Sequence, residues 1–313
     1  MTPLIEAKNL SFAYHHRSTA LSLIENLNLK IFENESVGVI GESGSGKSTL
    51  GKLLLGLLKP SCGTVLFKNA SLSNLSSHEL KPLRKQMQMV FQNPFSSLNP
   101  SMTIQEILKE PFTIHKMPQT SPKTLLEHVH LCPSFSSRYP NELSGGQRQR
   151  VAIARALALS PSFLVCDEIL SALDLNTQEE ILSLLSQLTK ERKTTYFFIS
   201  HDISALAQLV KKVCVMYFGS IVEEADVSSL LKDPLHPYTR HLLDALPVPD
   251  PKAAQKKAFI PLKGELPSLF QKPQGCPFQS RCPKVHALCK KEKPPLIEQK
   301  SGHSVACHLY STL

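Results

Sequence analysis

The chain has 313 residues, 42% of them apolar and 19% charged, and contains no Trp, which suits one large α/β unit with a smaller companion around a real core. No apolar run reaches the ~18–20 residues of a membrane-spanning helix, and the opening Met1–His16 lacks a basic stretch followed by an apolar one, so neither a membrane span nor a secretory leader is expected. The net charge of +9 is local: residues 251–313 hold 11 Lys/Arg against 3 Asp/Glu, and 12 of the 23 prolines lie beyond residue 230, so this charge is read as serving a local partner and not as a general nucleic-acid field.

In chain order, Ser36–Ile40 is a short apolar run of the kind that forms a strand buried on both faces, followed by a helical pattern over Thr49–Leu58. Phe163–Cys166, Thr195–Ile199 and Val213–Tyr217 repeat the strand pattern. Between the first two, Gln178–Leu188 places Ile181, Leu182, Leu184, Leu185 and Leu188 mostly on one helical face. Strands alternating with helices predict an α/β fold with a mainly parallel sheet covered on both sides. The shift in charge and proline predicts a body over 1–230 and a Pro-rich basic extension over 231–313.

Gly41-Glu-Ser43-Gly44-Ser-Gly46-Lys47-Ser48 matches GxxxxGK[ST] between a predicted strand and a predicted helix. Such glycines let successive backbone N–H groups face a phosphate, and the helix that Thr49 continues adds its positive end. Lys47 supplies a charge for the β- and γ-phosphates, and the Ser48 hydroxyl is a Mg²⁺ ligand. The run Phe163-Leu-Val-Cys-Asp167-Glu168 ends a buried strand in two carboxylates, Asp167 suited to the metal and Glu168 to polarising a water.

Leu143-Ser144-Gly145-Gly146-Gln147 opens an apolar helical pattern, presenting a hydroxyl, amides and a helix dipole to an anion. This LSGGQ run resembles the signature of the ATP-binding cassette (ABC) ATPases. The resemblance implies a P-loop fold with a helical subdomain at about 93–160, and it implies that Ser144, Gly145, Gly146 and Gln147 close on ATP held by a second cassette. It further implies that Tyr14 stacks on adenine, that Gln92 contacts Mg²⁺ and water, that Asp174 reaches the dimer interface and that His201 meets the γ-phosphate. Lys47, Glu168 and His201 are thus the expected catalytic groups.

A single cassette without a fused span or a heptad insertion suits a separate importer subunit. Gln92–Pro100, Asp233–Arg240, Gly264–Pro267 and the Cys-rich end are similar to ATPase subunits of dipeptide, oligopeptide and nickel importers. The resemblance implies ATP and Mg²⁺, two membrane permease subunits, a second ABC ATPase (a paralogue or a copy of itself), and indirectly a substrate-binding protein. Nucleic acid is not an expected partner, and the expected place is the cytoplasmic face of the inner membrane. Arg138, Tyr139 and Phe95 are read as lining the permease groove. The competing class is an ABC ATPase acting on nucleic acid or ribosomes through the basic tail. Two departures stand out: Asn141 replaces the usual His before Glu-Leu-Ser-Gly-Gly, and Ile169-Leu170 replaces Pro-Thr or Pro-Val, which predicts a looser turn.

Cys62, Cys132, Cys166 and Cys214 are scattered and read as small apolar or surface residues. Cys276, Cys282, Cys289 and Cys307 cluster late, spaced C-x5-C-x6-C-x17-C. A set of four thiolates suits Zn²⁺ or a [4Fe–4S] cluster; the family resemblance implies the cluster, with zinc as the alternative. His303 and His308 flank Cys307 and could replace a ligand there, but are read first as solvated surface residues.

Overall fold

The computed structural model describes residues 2–16, 19–171, 173–245, 268, 270 and 272–310. Among these, the strands are β1 (Ile5–His16), β2 (Thr19–Ile31), β3 (Ser36–Ile40), β4 (Cys62–Phe67), β5 (Ala70–Ser71), β6 (Met87–Val90), β7 (Phe163–Asp167), β8 (Thr195–Ser200), β9 (Lys212–Tyr217), β10 (Ser220–Asp226), β11 (Ile297–Lys300) and β12 (His303–Val305). The main sheet has the order β11-β12-β10-β9-β3-β8-β7-β6. Its five strands from β9 to β6 pair in parallel, with Val39 opposite both Ile199 and Cys214.

The four continuously apolar runs become the centre of this sheet because both of their faces are covered. Val39, Val165, Phe197 and Met216 point into one core, whereas Ile40, Cys166, Phe198 and Tyr217 point into the other. Successive residues of a strand face opposite ways, so an unbroken apolar run can feed two cores. Full burial of one such side chain contributes roughly 1.5–3 kcal/mol.

The first core is closed by the helix Lys47–Leu54 and by an antiparallel sheet of order β2-β1-β4-β5. Sequence reasoning missed this second sheet although Leu27, Leu29 and Ile31 alternate into the core with exposed Asn28 and Lys30; the β1–β2 register shifts around Leu10 and Phe12 break the pattern only there. The second core is closed by the helices Ile104–His115, Gly145–Leu157 and Leu175–Glu191. The expected helix Thr49–Leu58 starts two residues earlier and ends at Leu54, before Gly56 takes a φ of 63°. The expected helix Gln178–Leu188 is longer at both ends.

After β10 the chain forms the helices Val227–Lys232 and Pro237–Asp244, and from residue 272 it lies against the body. There β12 pairs with β10, Val305 opposite Glu223. The Gly264–Pro267 motif lies outside the described residues. The basic extension finds acidic partners in the same molecule: Lys272 with Glu25 (2.7 Å), Arg281 with Glu42 (2.8 Å) and Lys300 with Asp233 (2.7 Å). Glu223, fully buried, accepts from the backbone N–H of Leu235 and of His236 and pairs with His303 Nε2 at 2.7 Å. His303 and His308 are therefore not solvated surface residues. Both are buried, and His308 Nε2 meets the Glu292 carbonyl at 2.8 Å. No helix among the described residues is long and apolar enough to cross a membrane.

Candidate active site

The loop 41–46 leaves β3 at the centre of the parallel sheet, where the carboxyl ends of neighbouring strands open a crevice. A Cβ at Gly41 would collide with the Met216 carbonyl, so this close approach to β9 requires glycine. Gly44, at φ 80°, faces open space, and Gly46 takes a left-handed φ of 102° as the N-cap of the helix beginning at Lys47.

Lys47 is almost wholly buried and folds back over the loop, its Nζ donating to the Gly41 carbonyl at 2.7 Å and the Glu42 carbonyl at 3.0 Å. It lies 3.8 Å from Glu168 Oε1. Burial pulls the Lys47 ammonium below its usual range, against the pull of the nearby carboxylates. Ser48 Oγ donates to Asp167 Oδ1 at 2.8 Å, and burial raises the Asp167 carboxyl despite that bond. Gln92 Nε2 donates to Glu168 Oε2 at 3.0 Å. The phosphate loop, the end of β6 and the end of β7 thus converge, joining residues up to 119 positions apart.

These groups fit a nucleotide triphosphate with Mg²⁺. Ser45 Oγ is buried with no hydrogen-bond partner, the space beside Gly44 is open, and a cation and a carboxylate both sit desolvated. An anionic phosphate beside Lys47 and a divalent cation beside Asp167 would each favour the charged form that burial disfavours. Tyr14, half-exposed, meets Thr49 Oγ1 through its hydroxyl at 3.2 Å and is held edge-on by Phe12 at 4.8 Å between ring centroids. One ring face can therefore take a planar base.

Glu168 has a φ of 44°, a strained conformation for a non-glycine residue, and its N–H donates to the Ile199 carbonyl at 2.9 Å. The turn that follows lacks the family's proline, and hydrogen bonds tie its described residues. Ser171 donates to the Glu168 carbonyl through both N–H and Oγ, and Gln178 Nε2 donates to the carbonyls of Leu170 and Leu173. His201, exposed just past β8, lines the same cleft as Glu168, Ser171 and Gln178.

The signature residues form a separate face. Ser144 caps its helix by accepting from the Gln147 N–H at 3.3 Å, and Gln147 Oε1 accepts from the Ser144 N–H at 3.0 Å, a reciprocal capping box. The Gln147 side chain is thereby occupied within its own helix end. Asp174 caps Leu175–Glu191 by accepting from Thr177 N–H (3.0 Å) and Oγ1 (2.7 Å). A Cβ at Gly146 would fall on the Thr177 methyl. The signature turn and the Asp174 turn are therefore one packed surface, with Leu175 beside them 77% exposed.

The iron–sulfur expectation is overturned, and zinc falls with it. Among the described residues, no group of three or more His, Cys, Asp or Glu is placed to hold a metal ion. Relatives of this chain are named oligopeptide transport ATP-binding proteins, with no cluster in the name. Burial pushes the Cys276 thiol up to about 12 and raises Cys282 and Cys307 as well. Cys276 and Cys289 pack in the apolar core beside Phe278, and the Cys276 N–H donates to the Cys289 carbonyl at 2.8 Å.

Sequence reasoning missed Glu42, which joins the loop to Tyr238 and Arg281. The only sequence signal was the late excess of basic residues.

Comparison with known proteins gives this geometry its family. Residues 24–171 match the ABC transporter family, and residues 222–289 match the oligopeptide/dipeptide transporter C-terminal region. The chain is 43% identical over 315 residues to a putative oligopeptide transport ATP-binding protein of Bacillus subtilis, covering 98% of this chain and 96% of the relative. It is 45% identical to the oligopeptide transport ATP-binding protein AppF of the same species (92% and 89% covered). It is 42% identical to a putative peptide import ATP-binding protein of Brucella ovis (98% of each covered). Among solved structures, a dimeric ADP- and phosphate-bound cassette in a post-hydrolysis state matches with TM-score 0.66 and 32% identity over 71% of this chain and 98% of that one. With its phosphate loop, its carboxylates and its C-terminal region all matched, the chain belongs to the ATP-binding subunits of the ABC transporter family, in the oligopeptide/dipeptide transporter group, and is an ATPase that uses ATP with Mg²⁺.

Proposed function

We propose that the protein energises import of oligopeptides or dipeptides, working with two membrane permease subunits and a second cassette at the cytoplasmic face of the inner membrane. The observation that carries this reading is the union, in one chain, of a complete phosphate site with a C-terminal region of the oligopeptide/dipeptide type. The named transport role of the relatives supports it. In this reading residues 1–230 are the ATP-binding body with a helical subdomain at about 93–160, and residues 231–313 are the extension.

Within the body, the loop amides and Lys47 hold the β- and γ-phosphates while Tyr14 takes the adenine. Ser48, Asp167 and Gln92 hold Mg²⁺, which when bound neutralises phosphate charge. Glu168 orients and polarises the attacking water, accepting its proton, and His201 contacts the γ-phosphate. The hydrogen bond from Gln92 to Glu168 ties the base to the end of β6, beside a groove lined by Leu57, Phe91, Glu110, Ile114 and Arg155. Permease movement is read through this groove. Arg138, over the Phe135 ring at 4.2 Å, and the exposed Tyr139 belong to the same helical side, and the side chain of Phe95 lies outside what is described.

Gentle-detergent purification of the chain from native membranes, with every co-purifying protein identified, tests this reading. A permease pair and a second cassette are expected, with ATP-dependent uptake of labelled oligopeptide that Glu168→Gln abolishes. Recovery away from membranes with RNA or ribosomal proteins would overturn it and select the nucleic-acid class.

A further inference from the structure

Glu42 is held at three atoms. Its backbone N–H donates to Tyr238 Oη at 2.8 Å, its carboxylate pairs with Arg281 Nη1 at 2.8 Å, and its carbonyl receives Lys47 Nζ at 3.0 Å. Two of these partners come from beyond residue 230, and Arg281 lies 239 positions away in sequence. The Arg281 side chain is only 8% exposed and its guanidinium lies 6.0 Å from the Tyr217 ring centroid, at the end of β9. Phe278, fully buried three residues before, packs on the rings of both Tyr217 and Tyr238. The pair is part-buried, with the Glu42 side chain 25% exposed, so breaking it from one side leaves a partly desolvated charge without its partner.

Resting on the reading of residues 41–49 as the ATP phosphate site, we infer that Arg281 is a positioning residue for ATP binding: it fixes the Glu42 peptide, and through that carbonyl it fixes where Lys47 Nζ stands. The loop has little room to compensate, because Gly41 on one side is seated on the Met216 carbonyl. Releasing the carboxylate leaves the Glu42 carbonyl to the Ser45 N–H at 3.2 Å alone, a longer bond that lets this carbonyl, one of the two that hold the lysine, shift. Arg281 touches no phosphate. The bond is made between the C-terminal region and the loop, so nucleotide affinity depends on the docked extension.

The test uses the full-length chain as wild type, R281A, R281K, E42Q and the E42Q/R281A pair. MgATP affinity is read by calorimetry, KM and kcat by steady-state hydrolysis, and folding by thermal unfolding. R281A and E42Q should each raise Kd and KM about tenfold, the scale of lost outer-shell support, with kcat within about twofold. The double variant should be no worse than either single, since both cut the same bond. R281K should recover most of the affinity by keeping the charge. If R281A fails to fold, E42Q carries the test, because it leaves the extension untouched.

A folded R281A or E42Q with wild-type KM overturns the inference, as do effects of the two variants that multiply in the pair. A wild-type chain that binds no MgATP overturns the ATP-site reading itself, a result no Arg281 variant can mimic.

Discussion

The two functional faces of this molecule are built in opposite ways. On the phosphate-loop face Lys47, Ser48, Asp167, Glu168 and Gln92 are bonded to one another and to loop carbonyls, and the central lysine is buried. On the signature face Ser144 and Asp174 spend their oxygens on capping their own helices and otherwise lie open. A network that is already desolvated and closed can seize a charged ligand with little further ordering. A capped, exposed helix end is rigid but incomplete, and it needs a surface from elsewhere to bury what it presents. One chain thus carries a half-site that binds and a half-site that waits.

Variants on each face test that division. Glu168→Gln should lower turnover by the 10²–10⁴-fold typical of a lost general base while MgATP affinity stays within about threefold. Single-turnover hydrolysis with a parallel binding titration checks this, and near-normal turnover would remove Glu168 as the base. Gly146→Ala strikes the other face. Thr177 cannot swing aside freely because its hydroxyl is held by Asp174, so the added methyl should cost about 1–3 kcal/mol by overpacking. Thr177→Ala in the same chain should restore much of the lost thermal stability, and failure of that rescue would refute the packing of the two turns.

Ser144→Ala should cost about 1 kcal/mol through loss of the N-cap. ATP binding by the isolated chain should be unchanged, whereas turnover should fall. A loss of ATP affinity in this variant would blur the two faces into one. Tyr14→Ala should weaken ATP binding by only a few-fold, on the ~1 kcal/mol scale of an aromatic contact, and should weaken inorganic triphosphate not at all. Competition titration with both ligands separates these outcomes.

Legibility in the sequence followed contiguity. The loop Gly41–Ser48, the strand ending at Asp167 and the capped helix at Ser144 were readable because each is a short run whose neighbours fix its conformation. The central strands were readable because burial on both faces leaves an unbroken apolar run. The antiparallel sheet was legible in Leu27-Asn-Leu-Lys-Ile31, whose apolar residues alternate into the core, and was overlooked; register shifts break the alternation only around Leu10 and Phe12. The strain at Glu168 has no sequence mark, and the missing proline pointed to a loose turn where Ser171 and Gln178 supply the ties. The four late cysteines misled although their side chains lie within electrostatic reach of one another, because among the described residues no group of three or more His, Cys, Asp or Glu is placed to hold a metal ion. Glu42 and Arg281 were invisible as a pair, since nothing local relates residues 239 positions apart.

That separation also sets a clock. A ribosome adds roughly 5–20 residues each second, so on the order of 10–50 s passes between the synthesis of Glu42 and that of Arg281. Throughout that interval the phosphate loop exists without its distal tether, and β10 without its β12 neighbour. On the Arg281 inference, a nascent chain that has not yet docked residues 272–310 carries a slackened nucleotide site, so the onset of ATP use waits on the extension and not on the loop alone.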